Sequence, residues 1–425
     1  MIRLRALSNG VRVVTEQVAS VRSCGIGLWL ETGSRYEASA ERGLTHFIEH
    51  MLFKGTRRRD VRQLADAMNF LGGNMNAFTT QETLCLHART IDRKAPQALD
   101  LMFEMLLASV FPPAEICRER RVVLEECRMI EDAPDDFSMD NFLRNLWPGH
   151  PLGEPVIGRP ATIRRFTRAE MLERWEREFA PERLVVALAG AFDARACERV
   201  IRRWLGRLAG AGAPLRRSPR PDARLSPRQT ILRRSVEQAH FCLGVPGPHH
   251  RAPERFAFSL MNMVLGGGLS SRLFREVREK RGLAYSIGSF THYFSDSGYF
   301  AVSGGVSPHT LREVLTITCN EIQRICEEPV PGPELELARA QALDAIVMGL
   351  ENMETRMTRL ADGLLTWGRV TPIDEVVDEV NRVTPEDVRR VARRYLYGRT
   401  PALSLVAPRG CRPLTLGPIP GGGIQ

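Results

Sequence analysis

His46, Glu49 and His50 stand at positions i, i+3 and i+4 of the segment Leu44-Thr-His-Phe-Ile-Glu-His-Met-Leu-Phe. At about 100° per residue the three fall in one sector of a helix, and Leu44, Phe47, Ile48, Met51 and Leu52 take the opposite side. An apolar stripe would hold such a helix down while two imidazoles and a carboxylate project together from its other face. Imidazoles one turn apart can share a tetrahedral Zn²⁺. Glu49, one position before the second of them, can reach a water on that ion without binding the ion itself. The order His-x-x-Glu-His is the inverted form of the common zinc-helix motif. Taken alone, the spacing also fits a merely solvated helix face.

A catalytic zinc takes a third protein ligand, usually from elsewhere in the fold. Pro113 to Asp132 reads as a long helix, with proline near its start and Asp132-Ala-Pro ending it, and it is rich in carboxylates. Glu119 and Glu126 are seven apart and share a face, whereas Glu125 is rotated away; the sequence alone does not choose among them. Val61 to Leu71 reads as a helix capped by Gly72-Gly73, and Asn74-Met-Asn-Ala-Phe-Thr-Thr after it as a strand. Around these pieces the chain has two halves of parallel order. Cys24-Gly-Ile-Gly-Leu-Trp-Leu leads through Arg35-Tyr-Glu to a helix at Gly43; Phe241-Cys-Leu-Gly-Val leads through Arg251-Ala-Pro-Glu to a helix near Phe256. A Gly-, Pro-, Ser- and Arg-rich stretch at 208–229 reads as a linker, so the expected domains are 1–207, with the metal motif, and 230–425, without it.

The chain of 425 residues is long enough for two domains, and 43% hydrophobic with 26% charged residues excludes a disordered chain and a polytopic membrane protein. Its richest apolar run, Leu101 to Phe111, is short and contains Glu104, so no membrane anchor is expected. Nine cysteines without a C-x-x-C pair suit reduced thiols. The first residues carry no apolar signal region, and the expected location is the cytoplasm. A net charge of +9 raises nucleic acid as a partner. The basic clusters at Arg57, Arg216 and Arg389 are short and not interleaved with aromatics, which favours a compositional arginine bias and no nucleic-acid partner. Gly266 to Gly268 lack the Lys-Thr/Ser of a phosphate loop.

Three separated motifs, His46-Phe-Ile-Glu-His-Met-Leu-Phe-Lys-Gly-Thr, Glu119-Arg-Arg-Val-Val-Leu-Glu-Glu and Arg278-Glu-Lys-Arg-Gly-Leu-Ala-Tyr, together resemble the pitrilysin/insulinase family of zinc peptidases, nearest its mitochondrial-processing-peptidase branch. The resemblance implies an α+β protein of two homologous domains, each a mostly antiparallel sheet packed with helices, forming a clamshell around a cleft. It implies zinc on His46, His50 and Glu126, with Glu49 as general base and Glu119 as a helper carboxylate. Arg278 and Tyr285 would hold the substrate carbonyl or its oxyanion. Asn76, Ala77 and Phe78 would receive an extended peptide as an added strand, and Asp136 and Asp140 a substrate arginine near the cut. The implied partners are a peptide or unfolded polypeptide and a second chain, in a homodimer or a heterodimer with a related subunit. The competing expectation is a non-catalytic structural or substrate-presenting subunit, a class that generally loses part of the metal set. Two departures from the processing peptidases stand out: no presequence, and a short glycine turn at Met263 to Ser271 in place of a long glycine-rich loop.

Overall fold

The computed structural model describes residues 2–72, 74–206, 208, 210, 221, 227–411 and 414–419. Most of the linker expected at 208–229 therefore lies outside the described residues. The chain is an α+β protein with two sheets. The first contains β1 (Ile2–Ala6), β2 (Arg12–Gln17), β3 (Ser23–Leu30), β4 (Asn74–Thr79), β5 (Leu84–Ile91) and β6 (Leu184–Gly190), in the order β1-β2-β6-β3-β5-β4. The second contains β7 (Gln229–Arg234), β8 (Ala239–Gly247), β9 (Ala284–Tyr293), β10 (Gly298–Val306) and β11 (Ala402–Pro408), in the order β7-β11-β8-β10-β9.

The two sheets share one topology. In each, one parallel pair, β2 with β6 or β7 with β11, is followed by antiparallel neighbours. Matching β2 to β7, β3 to β8, β4 to β9, β5 to β10 and β6 to β11 reproduces strand order and direction, with β1 left over as an extra edge. A repeated strand–helix–strand order is what the parallel halves of the sequence imply.

The compact units do not follow chain order. One takes described residues from Met1–Cys127, Pro155–Ser218 and Val347–Val370, the other from Arg128–Glu154, Pro219–Ile346 and Thr371–Gln425. A division at 208–229 therefore misassigns two helices. Met353–Trp367, from the second half, packs on β6, β3 and β2. Pro134–Leu146, from the first half, packs on the matching β11, β8 and β7. Side-chain periodicity explains the first docking. Val14, Trp29, Cys85, Val185 and Ala187 line one face of the first sheet and meet Met357, Leu360, Ala361 and Leu364. The alternate residues Leu28, Leu30, Leu86 and Val186 are buried on the other face. Burying Met357, Leu360 and Leu364 is worth about 5–9 kcal/mol at about 1.5–3 kcal/mol each. Gly25 permits the approach, since a Cβ there would lie 2.5 Å from the Met353 carbonyl oxygen.

No helix among the described residues is long and apolar enough to cross a membrane.

Candidate metal centre

The helix Leu44–Met51 buries Leu44, Phe47, Ile48 and Met51, as its apolar stripe requires. Its start is built from a distance. Gly43 sits at φ +93°, offers no side-chain cap, and has no room for a Cβ, which would lie 2.4 Å from the Ile157 carbonyl oxygen. Glu37 supplies the missing acceptors, taking the N–H groups of Gly43 (2.8 Å) and Thr45 (2.7 Å). Burial pushes the Glu37 carboxyl up to about 7, against the pull of those N–H groups and of Arg174. Arg174, 1% exposed, donates to the Tyr36 carbonyl, Glu41 and the Thr45 hydroxyl, so a buried guanidinium ties this helix start to the Arg168–Glu178 helix.

The helix Pro113–Asp132 buries Ile116, Glu119, Val123 and Cys127, a stripe that aims Glu119 and Glu126 at the histidines. His46 Nε2 lies 3.8 Å from Glu126 Oε1, and His50 Nε2 lies 3.6 Å from Glu126 Oε2. One ligand atom from each of His46, His50 and Glu126 falls within 4.8 Å of the others, while Glu125 is not in the group. Atoms about 2.0–2.1 Å from a tetrahedral ion stand roughly 3.3–3.4 Å from one another. The 3.6 and 3.8 Å separations are too long for hydrogen bonds and a few tenths of an ångström above that spacing, so the trio fits zinc once its atoms draw inward from within 4.8 Å. The state of the His46 imidazole fits as well. Burial, with a smaller push from His50, takes His46 down to about 3, which keeps it neutral and able to ligate.

Around the trio stand residues that touch it or its neighbours. Glu49, 9% exposed, accepts a 2.6 Å hydrogen bond from the Thr79 hydroxyl. Burial raises the Glu49 carboxyl, and the Thr79 hydroxyl and His50 pull it back. Glu119 Oε2 is 3.1 Å from His50 Nδ1, and its other oxygen is 2.7 Å from Lys54 Nζ. Glu119 thus stands behind a candidate ligand. Thr79 ends β4, an edge strand whose only partner among the described residues is β5. On it Asn76 is exposed, Ala77 is buried, and Phe78 packs on Trp29 and His87 with ring centroids 5.4 and 5.7 Å apart. The Ala77 N–H is taken by the Asn76 side-chain oxygen at 2.9 Å.

The chain is similar to known proteins over nearly its whole length. Residues 12–159 match the insulinase (peptidase family M16) domain, and residues 165–342 match the peptidase M16 inactive domain. An uncharacterized zinc protease of Streptomyces coelicolor is 39% identical over 412 residues, covering 96% of this chain and 90% of that protein. The chain belongs to the M16 peptidase family. Solved structures agree on the M16 fold: a protease from Helicobacter pylori matches with TM-score 0.86 at 19% identity, over 96% of this chain and 99% of that one. A peptidase M16 inactive domain from Pseudomonas fluorescens matches with TM-score 0.86 at 20% identity, over 97% and 99%.

The remaining site candidates of this M16 chain lie in its second compact unit. Arg278 is in the π-helical stretch Phe274–Glu279, with its guanidinium carbon 5.0 Å from the centroid of the Tyr285 ring and 4.8 Å from that of Phe274. Tyr285, on β9, is 82% exposed. Asp136 and Asp140 stand one turn apart on Pro134–Leu146, and burial pushes Asp140 up to about 6 against the pull of Arg144.

Sequence reasoning missed Lys54, Thr79, Glu37 and Arg174. Lys54 carried a signal, as one of three lysines in a chain whose other cations are arginine, four residues beyond His50. Glu37 and Arg174 carried none, because a carboxylate that caps a helix across a loop has no fixed spacing.

Proposed function

We propose that this chain is a zinc-dependent endopeptidase that cleaves extended or unfolded peptides. The observation that carries the reading is the meeting of His46, His50 and Glu126 at ligand spacing, with Glu49 on the same helix beside them. His46, His50 and Glu126 would hold the zinc, which would lower the pKa of a bound water from about 15.7 toward about 7. Glu49, fixed by Thr79, takes the proton of the attacking water and passes it to the leaving amine. The inactive-domain match begins at residue 165, beyond His46, Glu49, His50 and Glu126, so it does not overlap the proposed site.

The edge of β4 supports an extended substrate: the peptide adds as a strand along Asn76–Phe78, and its carbonyl replaces the Asn76 oxygen on the Ala77 N–H. Arg278 and Tyr285 are taken as donors to the substrate carbonyl. The Arg278 guanidinium has no hydrogen bond or ion pair among the described residues, which leaves its donors available. Asp136 and Asp140 are taken to favour arginine near the cut.

The test is Glu49→Gln, assayed on a random peptide mixture by mass spectrometry. Hydrolysis falls roughly 10²-fold or more while bound zinc stays. Unchanged turnover, or a parent that cuts nothing with zinc bound, would reject the peptidase reading.

A further inference from the structure

We infer that Lys54 is a positioning residue of the metal centre, acting on His50 through Glu119. The inference rests on the metal reading above. Three side chains run in line. Lys54 Nζ meets Glu119 Oε1 at 2.7 Å, Glu119 Oε2 meets His50 Nδ1 at 3.1 Å, and His50 Nε2 faces Glu126 at 3.6 Å.

The direction of the hydrogen bonds follows from donor inventory. An ammonium only donates, so Glu119 accepts from Lys54; as a carboxylate it accepts from His50 as well. His50 therefore carries its proton on Nδ1, which leaves the Nε2 lone pair free to ligate a metal ion. Lys54 fixes one oxygen of a carboxylate that is 6% exposed, and the second oxygen is left aimed at the imidazole. A compact point charge suits this job. An arginine fork would draw both oxygens to itself.

His46 has no such support. Its Nδ1 is buried without a hydrogen-bond partner among the described residues. His50 is then the anchored imidazole of the pair, and losing its outer support is not made good at the other ligand. The Lys54 backbone N–H bonds the Met51 carbonyl at 3.1 Å independently of the side chain, so truncating the side chain leaves the helix end in place.

The experiment measures zinc affinity of the full chain by competition with a chromophoric chelator, for the parent, Lys54→Met, Glu119→Gln and the double variant. Lys54→Met and Glu119→Gln each weaken zinc binding about 10- to 100-fold, the scale for outer partners of metal-bound histidines. Because Lys54 works through Glu119, the double variant loses no more than the weaker-binding single one. The metal-free melting temperature of Lys54→Met falls, because the buried Glu119 carboxylate loses its ammonium, so the readout that separates positioning from a structural role is the non-additive zinc loss in the double variant. Should Lys54→Met fold poorly, Lys54→Gln replaces it in the same cycle. Parent-like zinc affinity in the Lys54 variant, or losses that multiply in the double variant, overturns the inference and leaves the metal site standing. A parent that binds no zinc removes the site itself and the inference with it.

Discussion

Replacing Thr79 by valine keeps the β-branched shape on β4 and removes one hydroxyl. That hydroxyl donates to Glu49 at 2.6 Å, where the carboxylate is 9% exposed. A hydrogen bond to a charged group is worth about 1.5–3 kcal/mol, which is tenfold to roughly hundredfold in the share of Glu49 ready to accept a proton. The sign follows from the forces on the carboxyl. Burial raises it and Thr79 lowers it, so without the hydroxyl more of Glu49 is protonated at a given pH. In Thr79→Val, kcat/KM for a fluorogenic peptide therefore falls by that factor on the acid side, and the deficit closes as pH rises. Zinc content is unchanged, since Thr79 is not in the ligand group. Thr79→Ser, which restores the donor, recovers most of the loss. A deficit of equal size at every pH, or none at all, would show that Thr79 does not act through the protonation of Glu49.

Two further predictions concern the frame that holds the site. The Glu37 carboxyl stands at about 7 in the folded chain, against 4.5 when free, so its contribution to stability is full below about 4.5 and is lost as pH rises through 7. The size is about 3 kcal/mol at about 1.4 kcal/mol per unit. Glu37→Gln, which cannot ionise, loses this part of the slope, and thermal melts of the two chains between about pH 4 and 8 would contradict the account if they ran parallel. Gly25→Ala puts a Cβ 2.5 Å from the Met353 carbonyl oxygen, and overpacking of about 1–3 kcal/mol lowers the melting temperature. Gly332→Ala, where nothing lies within 4 Å, is the control and costs nothing; equal melts for both variants would mean that the Met353–Trp367 helix does not dock on β3 as described.

Local periodicity explains which parts of this architecture were readable in advance. The helices Leu44–Met51, Val61–Leu71 and Pro113–Asp132 carry their ends in Gly43, Gly72 and Pro113, and their buried faces in apolar spacing. The choice of Glu126 over Glu125 came from likeness to known peptidases, because seven-residue spacing ties Glu126 to Glu119 and says nothing of what either faces. The exchange of Pro134–Leu146 and Met353–Trp367 between the two units was not readable. An amphipathic helix declares that one face is buried, and Met357 and Leu360 look the same whichever sheet covers them. Cutting the chain at a linker assumes that neighbours in sequence pack together, and these two helices do not. The partners of Glu37 and Glu119 were hidden for the same reason, being set by contacts between elements far apart in the chain.

In the proposed zinc site, one carboxylate from the Pro113–Asp132 helix completes a ligand set begun by two imidazoles on Leu44–Met51. Zinc content per chain after exhaustive dialysis, in the parent and in Glu126→Ala, tests it most directly. About one zinc per chain is expected in the parent and a marked loss in the variant. Equal zinc in the two proteins would contradict it.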